Sequence, residues 1–467
     1  MIRLFRHYIP VPYLVLGLIE NVILFSAVFL GIYITHARNP LIERELVDRG
    51  VAANLPGALV FVVAILVMMF ATGLYNRTYG RDMPTIALRL LASFGLAFVT
   101  LALVFYLWPD LWIWRDAVTL AVGLALAGVL AARFVFIKVC DLDAFKRRIL
   151  VVGAGERAAR IERLAASDAG HGFAPVGFVP SNDAAVAVSP EHRLAGVNSL
   201  SEFARARGVD EIVVAVEDRR GGLPVEALLE CKLDGLRVVD FESFMERETG
   251  RVDLDSMSPS WMIYSDGFAV GPLRDAVKRG FDLTVASIML ILVLPLLLAT
   301  AIAIRLESPG PVLYRQERVG HRGRRFTLLK FRSMRLDAEC DGTPRWAAEN
   351  DPRVTRVGAF IRKTRIDELP QLVNVLKGEM SFVGPRPERP FFVDRLAGEL
   401  VYYAERHRVK PGITGWAQLN HPYGASLDDA KGKLRYDLYY VKNFSVFLDL
   451  IILMQTVRVV LWPEGVR

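Results

Sequence analysis

Five apolar runs constrain this chain more than any other feature, since each approaches the ~20 residues a helix needs to cross a bilayer. Four open the sequence: Tyr13 to Ile34, Leu55 to Leu74, Ala87 to Leu107 and Ala117 to Val139. The first is too long for a cleavable leader and is followed by further spans, so it reads as a permanent helix. Hydrophobic residues make up 53% of the 467, too large a share for an ordinary soluble enzyme. Loop charges orient the runs. Arg3 and Arg6 precede the first, Arg77 and Arg81 follow the second, and Lys138, Lys146, Arg147 and Arg148 follow the fourth, which marks these ends as cytoplasmic. The loop 35–54 mixes Arg38, Arg44 and Arg49 with acids, and Trp108-Pro-Asp-Leu-Trp-Ile-Trp is an interfacial aromatic belt; both suit the outer face.

The fifth run, Phe281 to Ile304, carries Pro295 in its middle and basic residues at both ends: Arg274, Lys278 and Arg279 before it, Arg305 after it. After four crossings the chain is back in the cytoplasm, and a straight fifth span would carry everything beyond it to the outer face. A helix over about 278–305, broken at Pro295 and re-entering the face it left, keeps both basic ends with anionic headgroups. An ordinary fifth span is the alternative.

From Lys146 the composition is that of a soluble α/β unit. Ile149-Leu-Val-Val leads into Gly153-Ala-Gly-Glu-Arg-Ala and a polar helical stretch, and strand-like runs recur at Val176 to Val179, Glu211 to Val216 and Leu236 to Asp240. Strands alternating with helices predict a parallel, Rossmann-like sheet over 146–250. Gly153 and Gly155 form a possible nucleotide loop or a tight strand-to-helix turn without a ligand. Residues 251–272, rich in Ser, Asp, Gly and Pro, read as a linker. Cys140, Cys231 and Cys340 are scattered singly, and the histidines lack ligand spacing, so neither a disulfide framework nor a Cys/His metal site is indicated.

The chemistry concentrates between Arg362 and Pro390. Leu369, Leu372, Val373 and Leu376 recur at helical spacing, Pro370 is tolerable only in a first turn, and Gly378 suits the C′ position, so Asp367 and Glu368 are expected at a helix N-terminus. Adjacent carboxylates there are either a helix cap or a nucleophile beside a metal-holding partner. Met380-Ser-Phe-Val-Gly-Pro-Arg-Pro is a short strand ending in a rigid turn that projects Arg386, whose planar fork matches phosphate oxygens.

Asp367-Glu-Leu-Pro-Gln through Gly384-Pro-Arg-Pro resembles the signature of the bacterial sugar transferases, the monotopic phosphoglycosyl transferases. Lys330-Phe-Arg-Ser-Met, Asn350-Asp-Pro-Arg-Val-Thr-Arg-Val-Gly, Arg408-Val-Lys-Pro-Gly-Ile-Thr-Gly-Trp and Tyr436-Asp-Leu-Tyr-Tyr-Val-Lys-Asn are similar to further elements of the family. Arg365-Ile366 stands where many members carry Ser-Leu, and the opening Arg3-Leu-Phe-Arg-His-Tyr-Ile-Pro is similar to exopolysaccharide transferases associated with exosortase systems.

The resemblance implies transfer of a sugar 1-phosphate from a UDP-sugar to undecaprenyl phosphate at the bacterial inner membrane, with the catalytic part facing the cytoplasm and UMP released. It also implies Mg²⁺, membrane lipids as partners and the same re-entrant helix. In that reading Asp367 is the nucleophile forming an aspartyl phosphosugar, Glu368 holds the metal, and Lys330, Arg332 and Arg386 neutralise phosphate. Arg353 and Arg362 are substrate contacts or structural salt bridges. The α/β unit resembles the accessory domain of larger members, with a regulatory or oligomerising role, a homodimer included. The formal charge of +7 then serves anionic lipid and phosphorylated substrates rather than nucleic acid. The expected architecture is a transmembrane helical bundle over 1–145, the Rossmann-like domain, the linker and a mixed α/β catalytic domain over 273–467 with its re-entrant helix. Two other classes remain. A nucleotide-sugar oxidoreductase would use Gly153 and Gly155, but no Tyr occurs between Lys146 and Gly250 to serve its usual Tyr-Lys pair; a membrane scaffold for polysaccharide assembly would leave Asp367, Glu368 and Arg386 without a task.

Overall fold

The structure is a computed structural model that describes residues 2–4, 7–9, 11–37, 54–75, 83–139, 146–167, 172–181, 186–218, 222–257, 259–265, 267–268, 271–335, 353–422, 424 and 426–461. The loop charges at Arg38, Arg44, Arg49, Arg77 and Arg81, the Asn350-Asp351 part of its motif, Arg6, Cys140 and Cys340 lie outside them. The chain forms two compact units, one ending at Thr249 and the other running from Gly250 onward.

The first unit begins with helices α1 (Val11–Ala37), α2 (Leu55–Ala71), α3 (Met83–Leu107) and α4 (Arg115–Val139). The spans of α1, α3 and α4 are long and apolar enough to cross a bilayer, whereas α2 is shorter than its apolar run because Thr72–Leu74 form a turn. Leu24, Phe61, Ile65, Leu90, Leu101 and Val129 build the shared core. Within it Arg133 Nε meets Glu20 Oε1 at 2.6 Å, with both side chains buried, and Tyr75 donates its hydroxyl to the same carboxylate. An ion pair so enclosed among apolar helices survives only because each charge satisfies the other.

The α/β part follows with β1 (Arg147–Val152), α5 (Glu156–Ala166), β2 (Phe173–Val179), α6 (Leu200–Ala206), β3 (Glu211–Val214), α7 (Val225–Leu233), β4 (Arg237–Asp240) and α8 (Phe241–Thr249). The four strands are parallel in the order β2-β1-β3-β4. Central β1 is covered on both faces, Ile149 and Val151 joining one apolar cluster and Leu150 and Val152 the other, as a parallel strand between helix layers requires.

In the second unit the segment read as a linker is part of the core. Val252 and Trp261 are buried with Tyr403, Trp416 and Leu438, the Val252 amide donates to the Arg435 carbonyl at 3.0 Å, and Asp255 pairs with Lys431 and Arg435. A few apolar anchors outweigh the polar composition around them. The long helix α9 (Pro272–Glu307) comes next, one helix with Pro295 inside it rather than two separate pieces. Its inward stripe packs on the lobe on both sides of that proline: Ala286 with Leu372, Val375 and Met380, and Ile304 with Phe331 and Ile361. Most of its remaining surface is exposed and apolar, including Ile288, Ile291, Leu292, Leu298 and Ile302.

Beyond α9 come the antiparallel pair β5 (Leu313–Val319) and β6 (Arg325–Phe331), helices α10 (Arg356–Lys363) and α11 (Gln371–Lys377), the parallel pair β7 (Ser381–Val383) and β8 (Gly412–Thr414), and helices α12 (Pro390–Glu399), α13 (Leu427–Asn443) and α14 (Val446–Leu461). Leu448 and Ile452 place α14 against the lobe's core. The chain leaving β7 and the chain entering β8 touch backbone to backbone: a Cβ on Gly412 would stand 2.0 Å from the Gly384 amide nitrogen and 2.5 Å from the Thr414 carbonyl. Replacing Gly412 with Ala should therefore cost about 3 kcal/mol or more, since neither neighbour is a flexible side chain. Thermal unfolding reads this as a lowered midpoint, and an unchanged midpoint would show that the two loops can part.

Candidate active site

The two carboxylates sit one turn earlier than expected. Helix α11 starts only at Gln371, and Asp367 and Glu368 occupy a 3₁₀ turn, Ile366–Glu368, entered through Arg365 in the left-handed conformation with φ 60°. A non-glycine residue held there is uncommon and is found where the surroundings over-determine the backbone. Both flanks are pinned by α9. Its Glu307 carboxylate accepts from the Arg356 and Val357 amides at the start of α10, and its Arg279 donates to the Val375 and Leu376 carbonyls at the end of α11, at 2.6 and 2.7 Å. Gly378, φ 85°, closes α11 as expected.

Glu368 is 8% exposed, and both its cations reach the same oxygen: Lys330 Nζ lies 2.9 Å and Arg386 Nη2 3.0 Å from Oε1. Lys330 comes from β6, which α11 grips through Asn374, its side chain bonded to the Leu329 amide and the Thr327 carbonyl. Arg386 comes from the turn after β7. That turn is held from three directions: Arg406 donates to the Arg386 carbonyl at 2.9 Å while paired with buried Asp437, Arg318 donates to the Pro387 carbonyl at 3.0 Å, and Gly412 donates to the Pro385 carbonyl at 3.0 Å. The Arg386 side chain remains 34% exposed, against 19% for Lys330.

The neighbouring carboxyls are driven apart in acidity. Burial works to raise the pKa of Glu368, but the charges of Arg386 and Lys330 outweigh it and hold the group well below the usual carboxylate range. Asp367, half-buried, is pushed up by burial and by the Glu368 charge, with Lys330, Arg365 and Arg362 only partly compensating. Burial also lowers the pKa of Lys330, against the pull of Glu368.

Of the residues singled out from sequence, Asp367, Glu368, Lys330 and Arg386 converge, and Arg362 is near enough for its charge to act on Asp367. Arg332 is buried and tied elsewhere, donating to the Ser308 and Pro309 carbonyls, both at 2.8 Å, where α9 ends. The Arg353 carbonyl accepts from the Arg335 amide. Arg318, Arg406 and Asp437 did not emerge from sequence, since an arginine that braces a turn has no spacing to distinguish it. In the first unit, Gly153 (φ 122°) is needed on steric grounds, since a Cβ would stand 2.7 Å from the Ala215 carbonyl, whereas a Cβ on Gly155 would meet only the movable Glu217 side chain.

Two adjacent carboxylates of opposed acidity and two clustered cations thus meet on a lobe built against a long apolar helix. The chain belongs to the bacterial sugar transferase family, whose model matches residues 273–463. It is 44% identical over 191 residues to exopolysaccharide production protein PSS of Rhizobium leguminosarum bv. phaseoli, covering 39% of this chain and 93% of that protein. It is also similar to a UDP-N-acetylgalactosamine-undecaprenyl-phosphate N-acetylgalactosaminephosphotransferase of Aeromonas hydrophila (46% over 240 residues; 51% of this chain, 56% of that protein). A UDP-glucose:undecaprenyl-phosphate glucose-1-phosphate transferase of Escherichia coli (strain K12) is 43% identical over 202 residues, 41% of this chain and 43% of that protein. The match thus spans about half the length of these two larger relatives.

Residues 70–221 match a CoA-binding domain. In such a sheet a phosphate would sit in the crevice between β1 and β3, before α5. Here the chain fills that place itself: the Glu217 carboxylate accepts from the Arg157 amide at 2.7 Å and lies 3.7 Å from its guanidinium. A phosphate binding there would have to displace this carboxylate.

Behind Arg386, His407 lines a small pocket with Val319, Pro385, Pro387, Arg406, Val409 and Pro411. Burial, and then the Arg406 charge, push its pKa down to about 4. An unfolded histidine titrates near ~6.5, so as pH falls the unfolded chain binds this proton first. The stabilisation is fully present above pH ~6.5 and is lost as pH falls toward about 4. Thermal midpoints across that window should decline more gently in His407→Gln than in the wild type; parallel curves would remove His407 from the balance.

Proposed function

We propose that the protein transfers a sugar 1-phosphate from a UDP-sugar to undecaprenyl phosphate, on the cytoplasmic face of the inner membrane, as the initiating step of exopolysaccharide or related glycan synthesis. The observation that carries this reading is the convergence of Lys330 and Arg386 on Glu368 beside Asp367, an arrangement that divides the acidity of the two carboxyls. Neighbouring carboxyls with separated pKa values take separate tasks, and the more basic one is the better nucleophile.

Asp367 attacks the β-phosphorus of the donor. A carboxylate oxygen bonds to phosphorus as the phosphorus–oxygen bond to the α-phosphate breaks, and UMP leaves with the bridging oxygen. A phosphate oxygen of the lipid then attacks the same phosphorus, freeing the Asp367 carboxylate and forming the diphosphate-linked lipid. Arg386 and Lys330 face the charge on the transferred phosphoryl oxygens, where positioning and electrostatics supply most of the rate. Among the described residues no three His, Cys, Asp or Glu side chains gather to hold a metal by themselves. A carboxylate pair beside a diphosphate does suit Mg²⁺, which binds through one or two carboxylates and substrate oxygens. Glu368 would hold it, and it would supply further neutralisation of phosphate charge.

A re-entrant path for α9 belongs to the same reading. It is supported by Pro295, by the packing of both halves of the helix on one lobe, and by the Arg279 and Glu307 contacts at its two ends.

With UDP-sugar alone, about one UMP should appear per active site and phosphosugar should remain on Asp367, followed by ping-pong kinetics when lipid is added. Asp367→Asn should abolish both the burst and turnover. Arg386→Lys keeps the charge but loses the fork, and kcat should fall by about 100-fold. Ternary-complex kinetics together with turnover by Asp367→Asn would overturn the nucleophile and leave direct attack by the lipid phosphate.

A further inference from the structure

Arg386 can hold Glu368 only if β7 and the turn after it are fixed along the strand direction, and apolar packing alone tolerates sliding. A misplacement of ~1 Å at a reacting centre costs on the order of 100-fold in rate. Pairing with β8 and the arginine braces on the turn restrain it from one side; from the other, the directional contacts come from α9. Asp282, 1% exposed, accepts from the Ser381 hydroxyl at 2.9 Å, the Phe382 amide at 3.1 Å and Lys278 Nζ at 3.3 Å. Lys278 reaches on to Asp449 Oδ2 of α14 at 2.6 Å and to the Val383 carbonyl at 3.4 Å. The Tyr440 hydroxyl of α13 lies 2.9 Å from the same carbonyl and 2.8 Å from Asp449 Oδ1, one proton shared between two acceptors. Ser381, Phe382 and Val383 are thus gripped one after another by charged groups, and Gly384-Pro385-Arg386 follow directly.

Desolvating two carboxylates around one ammonium is expensive, and apolar side chains would fill the same volume without that cost. What they could not supply is directional register. We infer that Asp282 is a positioning residue for Arg386: through the Ser381 hydroxyl and the Phe382 amide it ties the height of the membrane helix to the geometry of the phosphate-facing arginine. The inference rests on the transferase reading for its kinetic consequence but not for its structural one.

Both are tested on the full-length protein in phospholipid nanodiscs. Hydrogen exchange needs no turnover. Asp282→Asn, which keeps the shape but removes the charge, should speed exchange by about 10-fold or more in peptides covering 381–388 while leaving those of α13 and α10 near wild type. Kinetics uses a double-mutant cycle. Asp282→Asn should lower kcat of UMP release, with a smaller change in donor KM, but should cost less than about threefold when added to Arg386→Lys, because the arginine it serves is already gone. Full multiplication of the two effects, or exchange that rises equally throughout the lobe, would mean that Asp282 merely stabilises the fold and would overturn the inference. A wild type that releases no UMP from any UDP-sugar would sink the transferase reading alone, with the exchange pattern still deciding the role of Asp282.

Discussion

Taking the Glu368 carboxylate out of water costs several kcal/mol unless opposite charges meet it, and the lobe is arranged around supplying two of them. Lys330 must arrive on β6 and Arg386 on the turn after β7, from opposite sides in sequence, and both must reach one oxygen. That requirement explains the grip of Asn374 on β6, the bracing of the turn by Arg318 and Arg406, and the glycines that let the β7 and β8 loops meet. It also explains why Asp367, one residue away, behaves differently: the cations are spent on its neighbour, so burial prevails and its affinity for a proton rises.

The strained entry at Arg365 fits the same logic. A regular helix through Asp367 and Glu368 would place the side chains by helical repeat alone. The left-handed residue and the 3₁₀ turn set them independently of α10 and α11, while Glu307 and Arg279 hold those helices at their outer ends.

Much of this was legible in the sequence, for reasons that differ by element. The apolar runs and the parallel strands are local properties of composition and periodicity, and α1, α3, α4 and β1 to β4 lie where those properties place them. The convergence of Asp367, Glu368, Lys330 and Arg386 came from motif resemblance, since no periodicity relates positions so far apart. The errors were long-range. Arg332 reads as a phosphate ligand until it is found bonded to the end of α9, and 251–272 reads as a linker until Val252 and Trp261 are seen in the core. Glu217, filling the crevice its own glycine loop opens, is an ordinary surface glutamate to any local rule.

Helix α9 gives the lobe one wall of its interior and leaves most of its remaining faces exposed and apolar, as a helix suited to a bilayer does. A construction in which anchor and keystone are the same piece cannot be trimmed into a water-soluble version. Removing the helix would open the lobe beside Leu372, Val375, Met380, Phe331 and Ile361 and strip the restraints from both ends of the segment bearing the carboxylates. Thickness and composition of the surrounding lipid, or of the detergent that replaces it, therefore become variables of the protein's internal structure and not only of its address.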